Sequence, residues 1–151
     1  MVRLPPRDAQ TRKADTLAML AAPEVDVWVA TASAEGEAHL VPVSLAWVGE
    51  RLVIAIPEGS VTTANLTVSG RARLALGPTR DVVMIDAALE RTLGVDDDEA
   101  LGAAYAAQSD WDPRGDSDYV FQVLRPIRLQ AWREANEIKG RTLMRDGSWV
   151  V

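Results

Sequence analysis

Chemical potential in this chain concentrates at Gly59-Ser60-Val61-Thr62-Thr63-Ala64-Asn65-Leu66. Ser60 ahead of a helix-compatible run predicts a capped helix over Val61–Val68, with Gly70 as its stop. The first N–H groups of a helix lack intrahelical partners and sit at the positive end of its dipole, so such a start is an anion site. Ser60, Thr62 and Thr63 would add hydroxyl donors, and Arg71 and Arg73 on the next strand would bring charge beside a phosphate. Arg51 and Arg80 are further cations, at strand ends where salt bridges serve equally well. Taken alone, Ser60 is a helix cap and the threonines are surface residues. Other chemistry is thin. With no cysteine, the chain has no disulfide, zinc ribbon or thiolate nucleophile. His39, the one histidine, lies on a mostly apolar strand and reads as hydrogen-bonded structure. Asp96-Asp97-Asp98-Glu99 lacks the alternating ligands and the glycine of a calcium loop, and suits a helix start. No catalytic acid or base and no metal site are assigned.

The elements that must position these residues follow from periodicity. Asp8–Ala22 is rich in helix formers, with Leu17, Leu20 and Ala21 on one face, and Pro23 stops it. Val25–Ala32 alternates as a strand, Ser33-Ala34-Glu35-Gly36 turns, and Ala38–Val48 pairs as a hairpin with Arg51–Ile56. Pro42 cannot donate to a ladder, which places it at an edge, a bulge or a point where the strand pulls away to admit something else. Arg71–Leu76 and Val82–Leu93 are strands, the latter with Val83, Ile85, Ala87 and Leu89 toward a core and Asp86 and Glu90 on the wetter side. Asp98–Gln108 reads as a helix with Leu101, Ala104 and Tyr105 as its buried stripe, Tyr119–Trp132 as a long strand interrupted at Pro126, and Arg141–Val151 as a closing strand pair around Asp146-Gly147. Hairpin order with short helices implies a mostly antiparallel barrel in one domain, 1–151. So small a barrel fills its own interior, so a large ligand binds outside it or at a dimer seam.

At 151 residues, with 48% hydrophobic and 25% charged residues and no long uncharged run, the chain reads as an ordinary globular domain without a membrane span. The formal charge of −6 is uneven: Gly94–Asp118 holds eight acids against Arg114, which marks a solvated excursion. An acidic chain of pI about 4.8 is a poor match for nucleic acid, which needs a basic face to displace counterions. Arg3, Arg7, Arg12 and Lys13 precede Asp15–Ala22, not a long apolar core with a cleavage site. The expectation is therefore a cytoplasmic protein without a signal peptide.

Four segments in order carry a resemblance: Val25–Ala32, His39-Leu40-Val41-Pro42-Val43-Ser44, Ile56-Pro57 through Asn65-Leu66, and Arg71–Leu76. Together they resemble the pyridoxamine 5′-phosphate oxidase-like split-barrel flavoproteins. Trp111-Asp112-Pro113-Arg114, Trp132-Arg133-Glu134 and Gly140–Trp149 are similar to an actinobacterial branch of that superfamily. The resemblance implies a six-stranded antiparallel split β-barrel and a homodimer with two sites at the seam, each holding FMN or a deazaflavin. It places Val41, Pro42, Val43 and Ser44 against the ring, Ser60, Thr62, Thr63 and Asn65 at the phosphate, and Trp132 near the pocket. The family has a Lys or Arg just after the serine, where this chain has Val61-Thr62-Thr63. Arg73 and Arg71 are the cations available in its place. Trp28, Trp47 and Trp149 read as core or seam residues, and Trp111 as a second candidate cover for a flat cofactor. The function implied is a flavin- or deazaflavin-dependent oxidoreductase acting on a small organic substrate. The alternative is a non-catalytic binding module whose hold on FMN is weakened or lost.

Overall fold

The computed structural model describes residues 4–151, and Arg3 lies outside them. Helix α1 (Ala9–Ala21) starts at Asp8, whose carboxylate accepts the Thr11 N–H at 2.7 Å, and ends before Pro23. Then come β1 (Asp26–Ala32), β2 (Ala38–Ser44), β3 (Ala46–Val48), β4 (Arg51–Pro57), α2 (Val61–Ser69) and β5 (Arg71–Leu76). They are followed by β6 (Val82–Gly94), α3 (Glu99–Ser109), β7 (Tyr119–Trp132), a 3-10 turn at Ala135–Glu137, β8 (Thr142–Arg145) and β9 (Ser148–Trp149).

All pairings are antiparallel, in the order β2-β1-β5-β6-β7-β4-β3, with β8 beside β7 and β9 beside β8. The result is an open, mostly antiparallel sheet with three short helices, a split β-barrel. Nine strands replace the six expected, for two reasons. The Ala38–Val48 strand bends at the fully buried Leu45, so its first half pairs with β1 and its second with β4. The tail forms the small β8–β9 pair anticipated around Asp146-Gly147. Pro126 is buried in β7 next to a register shift at Asp86/Ala87, where Ile127 is the extra residue, so its missing N–H falls at a bulge.

The barrel interior is filled by Val29, Leu45, Ile54, Leu74, Ile85 and Leu129. Each such buried side chain contributes roughly 1.5–3 kcal/mol. A second core lies under α3, where Leu101 and Tyr105 meet Val53, Ala55 and Phe121. The acids of Gly94–Asp118 face water, while α3 buries the Leu101 and Tyr105 side expected of it against β3 and β4. Tyr105 packs 5.1 Å from the Phe121 ring centroid, and burial pushes its phenol up to about 12.

The foot of α1 is tied down by ions. Glu137, only 2% exposed, accepts the Arg7 and Arg133 backbone N–H groups at 2.8 and 2.9 Å and the Arg7 guanidinium at 2.8 Å. Arg7 also reaches Asp15, at 3.1 Å, and Arg133 spans Asp15 and Asp81. Arg12, 3% exposed, donates to the Ala131 and Glu137 carbonyls at 3.2 and 3.0 Å. These contacts join α1 to the end of β7.

Candidate functional site

The residues nominated from sequence fall into three places. The first is β2. The Leu45 N–H bonds the Val25 carbonyl at 3.0 Å, and peptide groups in an antiparallel ladder alternate in the edge they face. Val27–Val43, Val29–Val41 and Thr31–His39 are therefore the hydrogen-bonded pairs, and Trp28–Pro42 and Ala30–Leu40 the non-bonded ones. Pro42 loses nothing by lacking an N–H, and of the three positions the sequence allowed it the structure shows the edge. The peptide groups of Leu40, Pro42 and Ser44 face away from β1, toward the side where β2 has no ladder partner. Val41 and Val43 turn their side chains to the barrel core, whereas Pro42 stands outward beside Trp28.

The second place is α2. Ser60 caps it, with its hydroxyl accepting the Thr63 N–H and donating to Thr63 Oγ1, both at 3.1 Å. Thr63 Oγ1 donates to the Pro57 carbonyl at 2.9 Å. Thr62 and Asn65 are buried, and Asn65 Nδ2 donates to Thr31 Oγ1 at 3.0 Å. Ser60 and Thr63 thus tie the helix start to itself and to the end of β4, and Asn65 ties the helix to β1. Beside the helix start lies a cavity lined by Pro57, Glu58, Gly59 and Asp118, with the Glu58 N–H on the Asp118 carbonyl at 2.8 Å. Nothing in the sequence signalled this approach of two acids sixty residues apart.

The third place is the outer face of β5, β6 and β7. Arg73 Nε donates to Asp86 at 2.6 Å, with Arg128 at 4.0 Å on the other carboxylate oxygen. Trp132 shares a small cleft with Arg73, Met84, Asp86, Arg128 and Gln130, and Arg141 lies over its ring at 5.8 Å. Arg73 and Trp132 are thereby brought together. Arg73 is not among the residues lining the α2 start; it lines a cavity with Ser69, at the opposite end of that helix. Arg80 pairs with Glu134 and Arg51 with Glu90, the surface ion pairs anticipated for them. Sequence reasoning missed Arg128, though the alternation had put Asp86 on the wetter side. Trp28 is not in the core; it is 52% exposed, beside Leu40 at 60%. Trp111 packs edge-on against Tyr105 and Tyr119 instead of standing free.

These positions test how a flavin fits. The exposed Trp28, Leu40 and Pro42 beside an unpaired strand edge suit a flat ring, with peptide donors and acceptors for its heteroatoms. The phosphate end does not fit at α2. The Ser60 and Thr63 hydroxyls are already bonded, no cation lines the cavity there, and Glu58 and Asp118 would repel a dianion. Among the described residues no cluster of three metal-ligating side chains occurs, and no helix is long and apolar enough to cross a membrane.

No family model matches the chain, and no curated protein matches it. Solved structures do. An F420 reductase superposes with TM-score 0.62 at 18% identity, over 74% of this chain and 94% of that one. A putative pyridoxamine 5′-phosphate oxidase from Listeria innocua gives 0.62 at 16%, over 81% and 98%. A heme-binding protein from Mycobacterium smegmatis gives 0.62 at 23%, over 94% of this chain but only 58% of its own length. The chain has the split-barrel fold of the pyridoxamine 5′-phosphate oxidase-like superfamily. That fold serves both redox enzymes and heme binders, so the cofactor class must be argued from this chain's own surface.

Proposed function

We propose that this single-domain chain is a homodimeric oxidoreductase that uses a flavin or deazaflavin ring at the seam between two copies, acting on a small organic substrate. The observation carrying this reading is the exposed Trp28–Leu40–Pro42 surface along the unpaired edge of β2. Exposed aromatic and aliphatic side chains gathered on one face call for a cover, and a second copy burying about 1,200–2,000 Å² in total would supply it. The two redox proteins among the structural neighbours support the class. When bound, such a ring supplies hydride transfer. The chain's part is to orient it through the peptide groups of Leu40, Pro42 and Ser44 and to exclude water with Trp28 and Leu40. The poor phosphate fit at α2 means that the ring, not its phosphate, carries the affinity.

The test is titration of the purified protein with FMN, riboflavin and a deazaflavin, following tryptophan fluorescence, with dimerisation measured by light scattering. Saturable quenching, with riboflavin within about threefold of FMN, is expected; threefold is about 0.65 kcal/mol, less than one charge-assisted hydrogen bond. A monomer that quenches with none of the three overturns the reading. A second reading, a non-catalytic binding module, is favoured by Glu58 and Asp118 at the start of α2. It is distinguished by bound cofactor that no reductant turns over, with hemin included as a competing ligand.

A further inference from the structure

The sheet has a gap that the flavin reading does not use. β1 pairs with β2 over seven residues but with β5 over three, Trp28–Ala75, Val29–Leu74 and Ala30–Arg73. The alternation that sends Val27, Val29 and Thr31 toward β2 sends the N–H and C=O of Trp28, Ala30 and Ala32 toward β5. The next partner for Ala32 would be Arg71, but the Arg71 N–H is turned to a side chain of its own segment. The Arg71 N–H donates to Ser69 Oγ at 3.1 Å, and the proton of that hydroxyl has two carbonyls in reach, Asn65 at 3.0 Å and Arg71 at 3.3 Å. The β1–β5 ladder stops at Ala30–Arg73. Ala32 is left facing the gap with no partner on β5.

The gap is a cavity of about 510 Å³, within the roughly 300–1,000 Å³ range of small-molecule sites. On the outer face Ala30 and Ala32 are too small to fill it, and beneath them lie Ala72 and Ala87, whose side chains belong to the barrel core. Thr31, Ser69, Arg71, Arg73 and Asp86 complete the lining. Asp86 is engaged by Arg73 and Arg128, while Arg71 pairs with no carboxylate among the described residues. One positive charge is thus uncompensated at an apolar cavity that also presents a spare backbone donor.

The geometry points to a binding site in this gap for a small, flat organic anion. Its carboxylate or phosphate meets the Arg71 guanidinium and the Ala32 N–H, and its ring lies on Ala30 and Ala32. The site needs no bound flavin, so a chain that fails the cofactor titration still has it. The experiment is calorimetric titration of the full chain with phenyl phosphate and benzoate as anionic probes and benzyl alcohol as a neutral one, with amide chemical shifts to locate binding. The anions bind one per chain, benzyl alcohol at least tenfold more weakly, and the shifted amides centre on Ala32, Arg71 and Arg73. Preference for phenyl phosphate over benzoate, or the reverse, tells a phosphate ligand from a carboxylate one. Arg71→Ala costs tenfold or more in anion affinity without moving the melting temperature, and Ala30→Leu weakens binding by occupying the floor. Arg125→Ala, on the same sheet face outside the cavity, stays within twofold. Absence of binding by both anions, parity with the neutral probe, or an unaltered Arg71→Ala variant each overturns the proposal.

Discussion

At the foot of α1 and on the outer face of β5–β7, arginines meet carboxylates with opposite consequences. Glu137 and Arg12 are almost sealed from water, and between them they tie the N-terminal helix to the end of β7. Arg73 reaches Asp86 at the shorter distance of 2.6 Å, yet its side chain is 64% exposed. Distance does not rank these pairs; solvent does. A desolvated charge cannot lose its partner without being stranded, whereas a solvated one exchanges it for water at little cost. The first region is therefore a fastener, and the second is available to a ligand.

The largest expected effect comes from stranding the buried charges. Glu137→Ala should cost about 3–5 kcal/mol, the usual loss on breaking a buried pair, read by urea unfolding. A loss below 1 kcal/mol would erase the distinction between the two regions.

Acid should distinguish them next. The Arg7 guanidinium and two backbone N–H groups hold the Glu137 carboxyl at about 2, and an unfolded chain takes up that proton near about 4.3. Between those values the unfolded state binds more protons. The stability from Glu137 is thus fully present above the ordinary glutamate range and drains away as pH falls toward 2. Melting temperatures from pH 2 to 5 should show a steeper acid loss in the wild type than in Glu137→Gln, and equal slopes would remove Glu137 as the cause.

The exposed face should respond least in stability. Arg73→Ala should shift unfolding by no more than about 1 kcal/mol, as exposed pairs do, and a larger loss would make that face structural. Asp86→Asn sharpens the contrast further. It should leave the melting curve nearly unmoved while tightening phenyl phosphate binding several-fold, because it frees Arg73; weaker binding would show that the carboxylate helps to shape the cavity.

Most of the fold was legible. Helix α2 runs from the Ser60 cap to Gly70, which adopts a φ of 65°, a left-handed turn that a residue with a side chain takes reluctantly. The strands fall where alternation placed them, and Pro42 sits on an edge strand. The bend at Leu45 was not legible, because an apolar residue continues the alternation whichever neighbour each half pairs with. The buried stripe of α3 was legible, but not its partners Val53, Ala55 and Phe121, which lie on strands distant in sequence.

The candidate site was less legible. Ser60, Thr62, Thr63 and Asn65 do gather on one helix, as their spacing requires. Arg73 follows that helix closely in sequence, yet it lies toward the other end, because a helix and the strand leaving it carry the chain away from its start. Glu58 and Asp118 meet only because β4 and β7 pair as far as Pro57–Tyr119.

What the sequence by itself determined is what depends on near neighbours: helix caps, turns, the faces of strands and the absence of thiol chemistry. What only the tertiary structure decided is which charges are buried. Arg7 and Arg12 read as part of a basic N-terminus, but they bond residues more than a hundred positions away. The value of a charge is set by how much water remains around it, and that is a property of the assembled fold.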